Sequence, residues 1–560
     1  MHVRIMTTTA VLTVAVAGCA PVQRQVTCPT ARVSCACAEL ERDATDEDIG
    51  GLVTRLRDFS DPRLLDTGRA VSEVEARCRD AEGPLPPPAS RRDADWRERC
   101  SAAEAALPAL LGVLEEIESR RGTDGSSSPE ENSLAARTVT ALGNLVLGNP
   151  GSPCRADVAR ALVDVVRIGE PTQDIMVNER AVSMLGAIAD DSAAEALVAA
   201  MFMRSERRSL ALQEPSRLAL MQLSDLDSVT RELVRAGRLE AEGIARMIES
   251  SDRLDALGVK EQVAFTLGSL GHASPTVIEY LETELRHTAV DEADRSASGR
   301  RGSMTPSQCT AWRRVHAARA LARLRHDPVI DVVIGRLSLD TQAGRLADPS
   351  VDALEVPGYL EALGEILVPE RTTPVLLDWV AYGRDITLDR AARWLSILGG
   401  AEHVSRLEAA AAALPACPAG ETRCIRRNIE EHYIPALRSA AGCASLECWV
   451  DRLSAPGVSP DVRERTAYQV AMRAAAPGAS RDQARDALIT ALLAGGEDTL
   501  LDSYVFAVDR LSPEGCDEAC LGRLETFFDE HGRDVASSSE VRRVAGLLGR
   551  LRARAGLAAR

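Results

Sequence analysis

Apolar residues recur at helical spacing along most of the chain. Taking a residue, the fourth beyond it and the seventh beyond it gives Thr138, Leu142, Leu145; Ala181, Leu185, Ile188; Ser216, Leu220, Leu223; Val263, Leu267, Leu270; Ala317, Leu321, Leu324; Tyr359, Leu363, Ile366; and Ala391, Leu395, Leu398. Spacings of four and seven put three side chains on one helical face, so each triplet predicts an amphipathic helix. The middle leucines lie 43, 35, 47, 54, 42 and 32 residues apart. The longest interval contains SASGRRGSMTPSQ at 296–308, and looping out those thirteen residues leaves 41. A second apolar run follows in several units, as in SAAEALVAAM at 192–201 and DPVIDVVIGRL at 327–337. Turns are marked by Asp190-Asp191, His326-Asp327-Pro328 and Gly399-Gly400. Two helices per period of about 40 predict an all-α chain, an α-solenoid of stacked helix pairs.

Three segments carry a family pattern of Asp or Asn, Arg, Ala and then leucines: NERAVSMLGAIADD at 178–191, LDRAARWLSILGG at 388–400 and PDVRERTAYQVA at 460–471. They resemble HEAT and armadillo-like repeats, and the resemblance covers roughly residues 100–560. It implies a right-handed superhelix of antiparallel helix pairs. Residues 100–400 are expected to hold the regular repeats, and 401–560 further helical repeats with cysteine pairs, the register being least regular between 400 and 460. The last segment, EVRRVAGLLGRLRARAGLAAR at 540–560, has Val541, Val544, Leu547, Leu548 and Leu551 on one face and arginines between them. It reads as the cap that a stacked array needs, or as a basic amphipathic helix for an anionic partner.

The N-terminus reads differently. Arg4, an apolar run from Ala10 to Val16 and small residues thereafter make an export signal over 1–18. Val16-Ala17-Gly18-Cys19 resembles the bacterial lipobox. That resemblance implies cleavage between Gly18 and Cys19 and a lipid-modified Cys19 as the new N-terminus. Two or three acyl chains anchor a protein stably without spanning the bilayer. Residues 19–44, with Pro21, Pro29 and Cys35-Ala36-Cys37, are expected to be a tether, and 45–99 a helical segment ending in the Pro-rich GPLPPPASRRDAD at 83–95. Thr45 with Asp48 resembles a capping box at the start of that segment. Asp43, Asp46 and Asp48 lack the spacing and closing Glu of an EF-hand loop.

Composition narrows the function classes. Of 560 residues 45% are apolar and only 3% aromatic, a balance that favours packed helices over sheets. A formal charge of −17 removes the long-range attraction to phosphate backbones that nucleic-acid binding requires. It also opposes an anionic lipid surface, so anchoring falls to the lipid on Cys19. Export makes disulfides the first reading of the 14 cysteines. Near neighbours suggest Cys78 with Cys100, Cys417 with Cys424, Cys443 with Cys448, and Cys516 with Cys520. Cys28, Cys35 and Cys37 form an unresolved cluster, and Cys154 and Cys309 pair only if the fold joins them. Thirteen cysteines beyond the anchor are an odd number.

No HExxH, GxSxG or P-loop occurs. His272, His287, His316, His326, His403, His432 and His531 are scattered, and no cysteine pair finds the second pair or His that a zinc site needs. The expectation is therefore no catalytic residue, no metal and no cofactor, with function carried by surface. The first reading is a lipid-anchored scaffold or adaptor of the cell envelope, non-catalytic, binding protein partners along a concave face made by the second helices. By resemblance to enterobacterial lipoprotein sorting, Ala20 rather than Asp after Cys19 implies the outer membrane, facing periplasm or cell surface. The alternatives are an enzyme of the lyase-like kind found among HEAT-repeat proteins, or a metal- or small-ligand-binding lipoprotein.

Overall fold

The computed structural model describes residues 33–42, 47–60, 65–78, 100–120, 128–167, 175–202, 212–239, 259–290, 305–340, 345–348, 351, 353–418, 424–475, 479–494, 498–531 and 539–556. Gly18, Cys19, Cys28, Thr45 and the Pro-rich 83–95 lie outside them. The elements begin with α1 (Cys35–Arg42), α2 (Glu47–Leu56), α3 (Leu65–Arg77) and α4 (Leu107–Arg120). Pairs follow: α5 (Pro129–Gly148) with α6 (Arg155–Arg167), α7 (Ile175–Ile188) with α8 (Ala194–Ala200), and α9 (Gln213–Leu220) with α10 (Leu226–Arg238). Next come α11 (Val259–Leu270) with α12 (Pro275–Arg286), α13 (Pro306–Arg323) with α14 (Val329–Leu337), α15 (Val356–Ile366) with α16 (Pro369–Tyr382), and α17 (Asp385–Leu398) with α18 (Val404–Ala413). After α19 (Ile425–Arg427), a π-helical stretch Asn428–Tyr433 and α20 (Ile434–Arg438), the chain continues through α21 (Leu446–Ser454), α22 (Pro460–Arg473), α23 (Ala479–Leu493), α24 (Asp498–Leu511), α25 (Glu518–His531) and α26 (Ser539–Arg554). A two-residue antiparallel ribbon, Leu339–Asp340 with Arg345–Leu346, is the sole β-structure among the described residues.

The fold is an all-α solenoid in two layers. The first helices stack as α5, α7, α9, then α11, α13, α15, α17, α22, α24 and α26, while α8, α10 and α12 pack outside them. The seven middle leucines, Leu142, Leu185, Leu220, Leu267, Leu321, Leu363 and Leu395, are all fully buried in this stack. Successive first helices approach closely through small residues. A Cβ on Gly186 would lie 2.6 Å from the Cα of Ala219, and one on Gly268 would lie 2.7 Å from the Cα of Ala320. In both cases the glycine after one middle leucine meets the alanine before the next. Helix starts are capped by Ser128 with Glu131 and by Thr305 with Gln308, each a reciprocal capping box. The latter shows that the last residues of the 296–308 insertion already belong to α13.

Arginines close the joints between units. Arg465 on α22 donates to the carbonyls of Ser396 and Gly399, and Gln469 donates to that of Ile397 at 2.8 Å, so α22 satisfies carbonyls that α17 leaves without an intrahelical partner. Arg155 does the same for Ile188 at the end of α7.

Two expectations need correction, and one pairing left open is decided. The tether does not extend to residue 44: Ser34 donates its amide to Asp157 at 2.8 Å, Cys37 is fully buried, and α1 packs on α4. Cys37 is bonded to Cys154, so Cys154 does not pair with Cys309, which is buried and in none of the five described bridges. The inner face, where the array meets the chain's own C-terminal helices, is lined by the first helices rather than the second.

Candidate functional site

The array curls until its end meets its middle. Helix α26 packs on α24 and α25 and again on α9. Gln222 donates to the carbonyl of Ala545 at 3.0 Å, and Arg554 reaches the carbonyls of Leu270 and Gly271 at 3.4 and 3.5 Å. Gly271 ends α11 with a left-handed φ of 65°, and a Cβ there would strike the Arg554 guanidinium. Helix α24 contributes Arg510, whose backbone oxygen accepts from Arg325 and whose side chain donates to the carbonyl of Ile366 at 3.1 Å.

Between the C-terminal helices and the inner face of α9, α11, α13, α15, α17 and α22 lies a cavity of about 750 Å³. Nine arginines line it, Arg217, Arg319, Arg323, Arg325, Arg393, Arg510, Arg543, Arg550 and Arg554, against five carboxylates, Glu214, Glu361, Glu365, Asp502 and Asp509. One wall is aromatic: Trp394, Tyr468 and Phe506 follow one another at centroid separations of 5.4 and 5.3 Å. Phe265 lies under Arg217 and Arg323, at 4.8 and 5.7 Å from ring centroid to guanidinium carbon.

Two arginines four residues apart on a helix share one carboxylate from a neighbouring helix, and the device occurs twice. Arg319 and Arg323 hold Glu365 at 2.6 and 3.0 Å, and Arg550 and Arg554 hold Asp509 at 3.2 and 3.1 Å. Burial alone raises both carboxyls, but the flanking guanidiniums outweigh it. Glu365 falls to about 2 and Asp509 also sits below its ordinary range. Glu214 pairs bidentately with Arg217, and Glu361 takes Arg390 at 3.0 Å, Arg393 at 3.6 Å and the Trp394 indole at 3.0 Å. Arg325 and Arg510 make their described side-chain contacts to backbone oxygens instead of carboxylates. Burial and the nearby Arg325 press the Arg510 guanidinium down to about 10.

The remaining candidates are structural. Cys78–Cys100, Cys417–Cys424, Cys443–Cys448 and Cys516–Cys520 are disulfide-bonded, and Cys35 is also in a disulfide. His272 sits 2.8 Å from Asp227, His326 2.7 Å from Glu282 and His432 2.9 Å from Asp461, each an exposed or half-buried carboxylate of another helix. Among the described residues no group of three or more His, Cys, Asp or Glu could hold a metal ion, and no helix is long and apolar enough to cross a membrane. The cavity arginines escaped the sequence reading because arginine is the chain's general cation; the signal available was Arg at i and i+4 on first helices, as in Arg319/Arg323 and Arg550/Arg554.

No protein-family model and no curated protein matches the chain. Similar solved structures include an engineered protein, at 16% identity over 91% of this chain and 99% of that one with a TM-score of 0.30. Importin beta is similar at 12% identity over 91% of this chain and 69% of that chain, TM-score 0.30. Kap121p is similar at 11% over 92% and 58%, TM-score 0.30. At these scores the similarity carries no argument, and the solenoid assignment rests on the helix packing described above.

Proposed function

We propose that the chain is a lipid-anchored scaffold of a bacterial cell envelope that binds a protein partner through exposed apolar side chains of its solenoid and catalyses no reaction itself. The observation that carries this reading is a set of large apolar side chains left in solvent on an otherwise well-buried array. Trp312 in the second turn of α13 is 42% exposed, and Tyr382 and Ile386, which flank the α16–α17 corner, are 48% and 54% exposed. Exposed aromatic and aliphatic anchors on a rigid frame are the usual core of a protein interface. The five described disulfides support an oxidising compartment, which fits an exported chain. Anchoring through Cys19 would confine the partner search to one membrane and so raise effective concentration.

Cross-linking and pull-down from detergent-solubilised envelope tests this. The full chain is expected to retain one reproducible protein, which Ile386→Asp or Trp312→Asp releases and Cys19→Ser moves to the soluble fraction. Recovery of a clean monomer in every case would refute the scaffold. Intact mass of the mature N-terminus tests the anchor separately: an unmodified peptide starting anywhere but Cys19 overturns it.

A further inference from the structure

We infer that the cavity enclosed by the C-terminal helices is a binding site for a compact multivalent anion, one carrying two or more phosphate or carboxylate groups. The inference is independent of the scaffold reading, because it concerns the arginine-lined cavity and not the exposed apolar side chains.

The chain as a whole is strongly acidic at −17, yet the cavity lining carries nine guanidiniums and five carboxylates, a surplus of four positive charges in a confined space. Arginines gathered to glue the two halves of the ring together would be matched by acids, as Arg319 and Arg323 are by Glu365. The described hydrogen bonds of the Arg325 and Arg510 side chains go to backbone oxygens, not to a carboxylate. Arg325, itself exposed, donates to the backbone oxygen of Arg510, and Nη1 of Arg510 is a buried donor for which the described residues provide no acceptor. A buried guanidinium donor left unsatisfied is costly, and an anion that accepts from it relieves that cost.

The geometry suits such a ligand. Guanidiniums present planar forks that match phosphate and carboxylate oxygens. About 750 Å³ falls within the range of small-molecule sites, and the wall of Trp394, Tyr468 and Phe506 offers apolar area to any organic portion. The overall negative charge argues against long polyanions approaching from outside. A small anion held inside is governed by the groups within a few ångströms, since screening removes distant charges beyond about 8 Å at physiological salt.

The test is isothermal titration of the full-length protein in detergent with inorganic pyrophosphate and with citrate, against sodium chloride at matched ionic strength. One site per chain is expected for at least one of the two anions, with affinity falling as salt rises. Arg325→Met and Arg510→Met are each expected to weaken binding at least tenfold, whereas Arg69→Met, an exposed arginine on α3, leaves it within twofold. Circular dichroism melts confirm folding, and if Arg510→Met fails to fold, Arg325→Met and Arg325→Gln are read alone. Absence of binding by both anions, or binding that survives the Arg325 variants within twofold, overturns the inference.

Discussion

Arg550, in the last helix, donates to the thioether of Met221, 329 residues earlier in the chain, at 3.5 Å. The contact belongs to a seam in which α26 lies on the end of α9. Its backbone comes so close that a Cβ on Gly549 would meet the carbonyl oxygen of Met221 and sit 2.9 Å from its carbon.

Gly549→Ala is therefore expected to open the seam. Overpacking of this kind costs on the order of 1–3 kcal/mol. Hydrogen exchange should show protection lost together in α26 and at the end of α9, while α5 to α7 keep theirs, and small-angle scattering should report a larger radius of gyration.

Close approach also fixes the sign at Gly186 and Gly268. Helix propensity alone favours alanine over glycine by about 1 kcal/mol. A Cβ at 2.6–2.7 Å from the backbone of the next helix forces that helix away, so each Gly→Ala variant is expected to lower stability despite the propensity gain. Gly335, with open space around its Cβ position, should gain or stay level on the same change, and chemical denaturation of the three variants compares them directly.

Acid sensitivity should concentrate at Glu365. Its folded pKa of about 2 is below the unfolded value of about 4.3, so its contribution to stability is complete above about pH 5 and is lost as pH falls towards 2. The shift corresponds to at most about 3 kcal/mol. Glu365→Gln leaves Arg319 and Arg323 without their carboxylate, which lowers stability at pH 7 and flattens the acid limb. Melting temperature against pH for the two proteins reads both effects.

The five described bridges should be unequal. Cys37–Cys154 spans 117 residues, with the 22-residue Cys78–Cys100 loop nested inside it, whereas Cys516–Cys520 spans 4. By the chain-entropy relation the long bridge contributes on the order of 4 kcal/mol and the shortest the least. Paired Cys→Ser replacement of Cys37 and Cys154 is expected to lower the melting temperature most, and to release α1 to proteolysis.

The first-helix pattern was legible because every middle leucine is fully buried in the helix stack, so burial imposes one spacing on Leu142 through Leu395. The docked α1 was not. Eight residues give too few turns for a period, and Cys37 finds its partner 117 positions away. The inner face could not be assigned from spacing alone, since both helices of a pair are amphipathic and only curvature decides which one lines the inside. The cavity was hidden for a related reason: Arg325, Arg510 and Arg554 come from separate units, and no local pattern announces that the chain returns to them.

An open solenoid can gain or lose a unit and remain the same kind of molecule, because each unit touches only its neighbours. The seam between α26 and α9 removes that freedom. Deleting one helix pair between them would bring the last helix to rest a unit short of Met221, and inserting one would carry it past. The length of this array is set by where it must meet itself, so its units count like the staves of a hoop and not like links added to a chain.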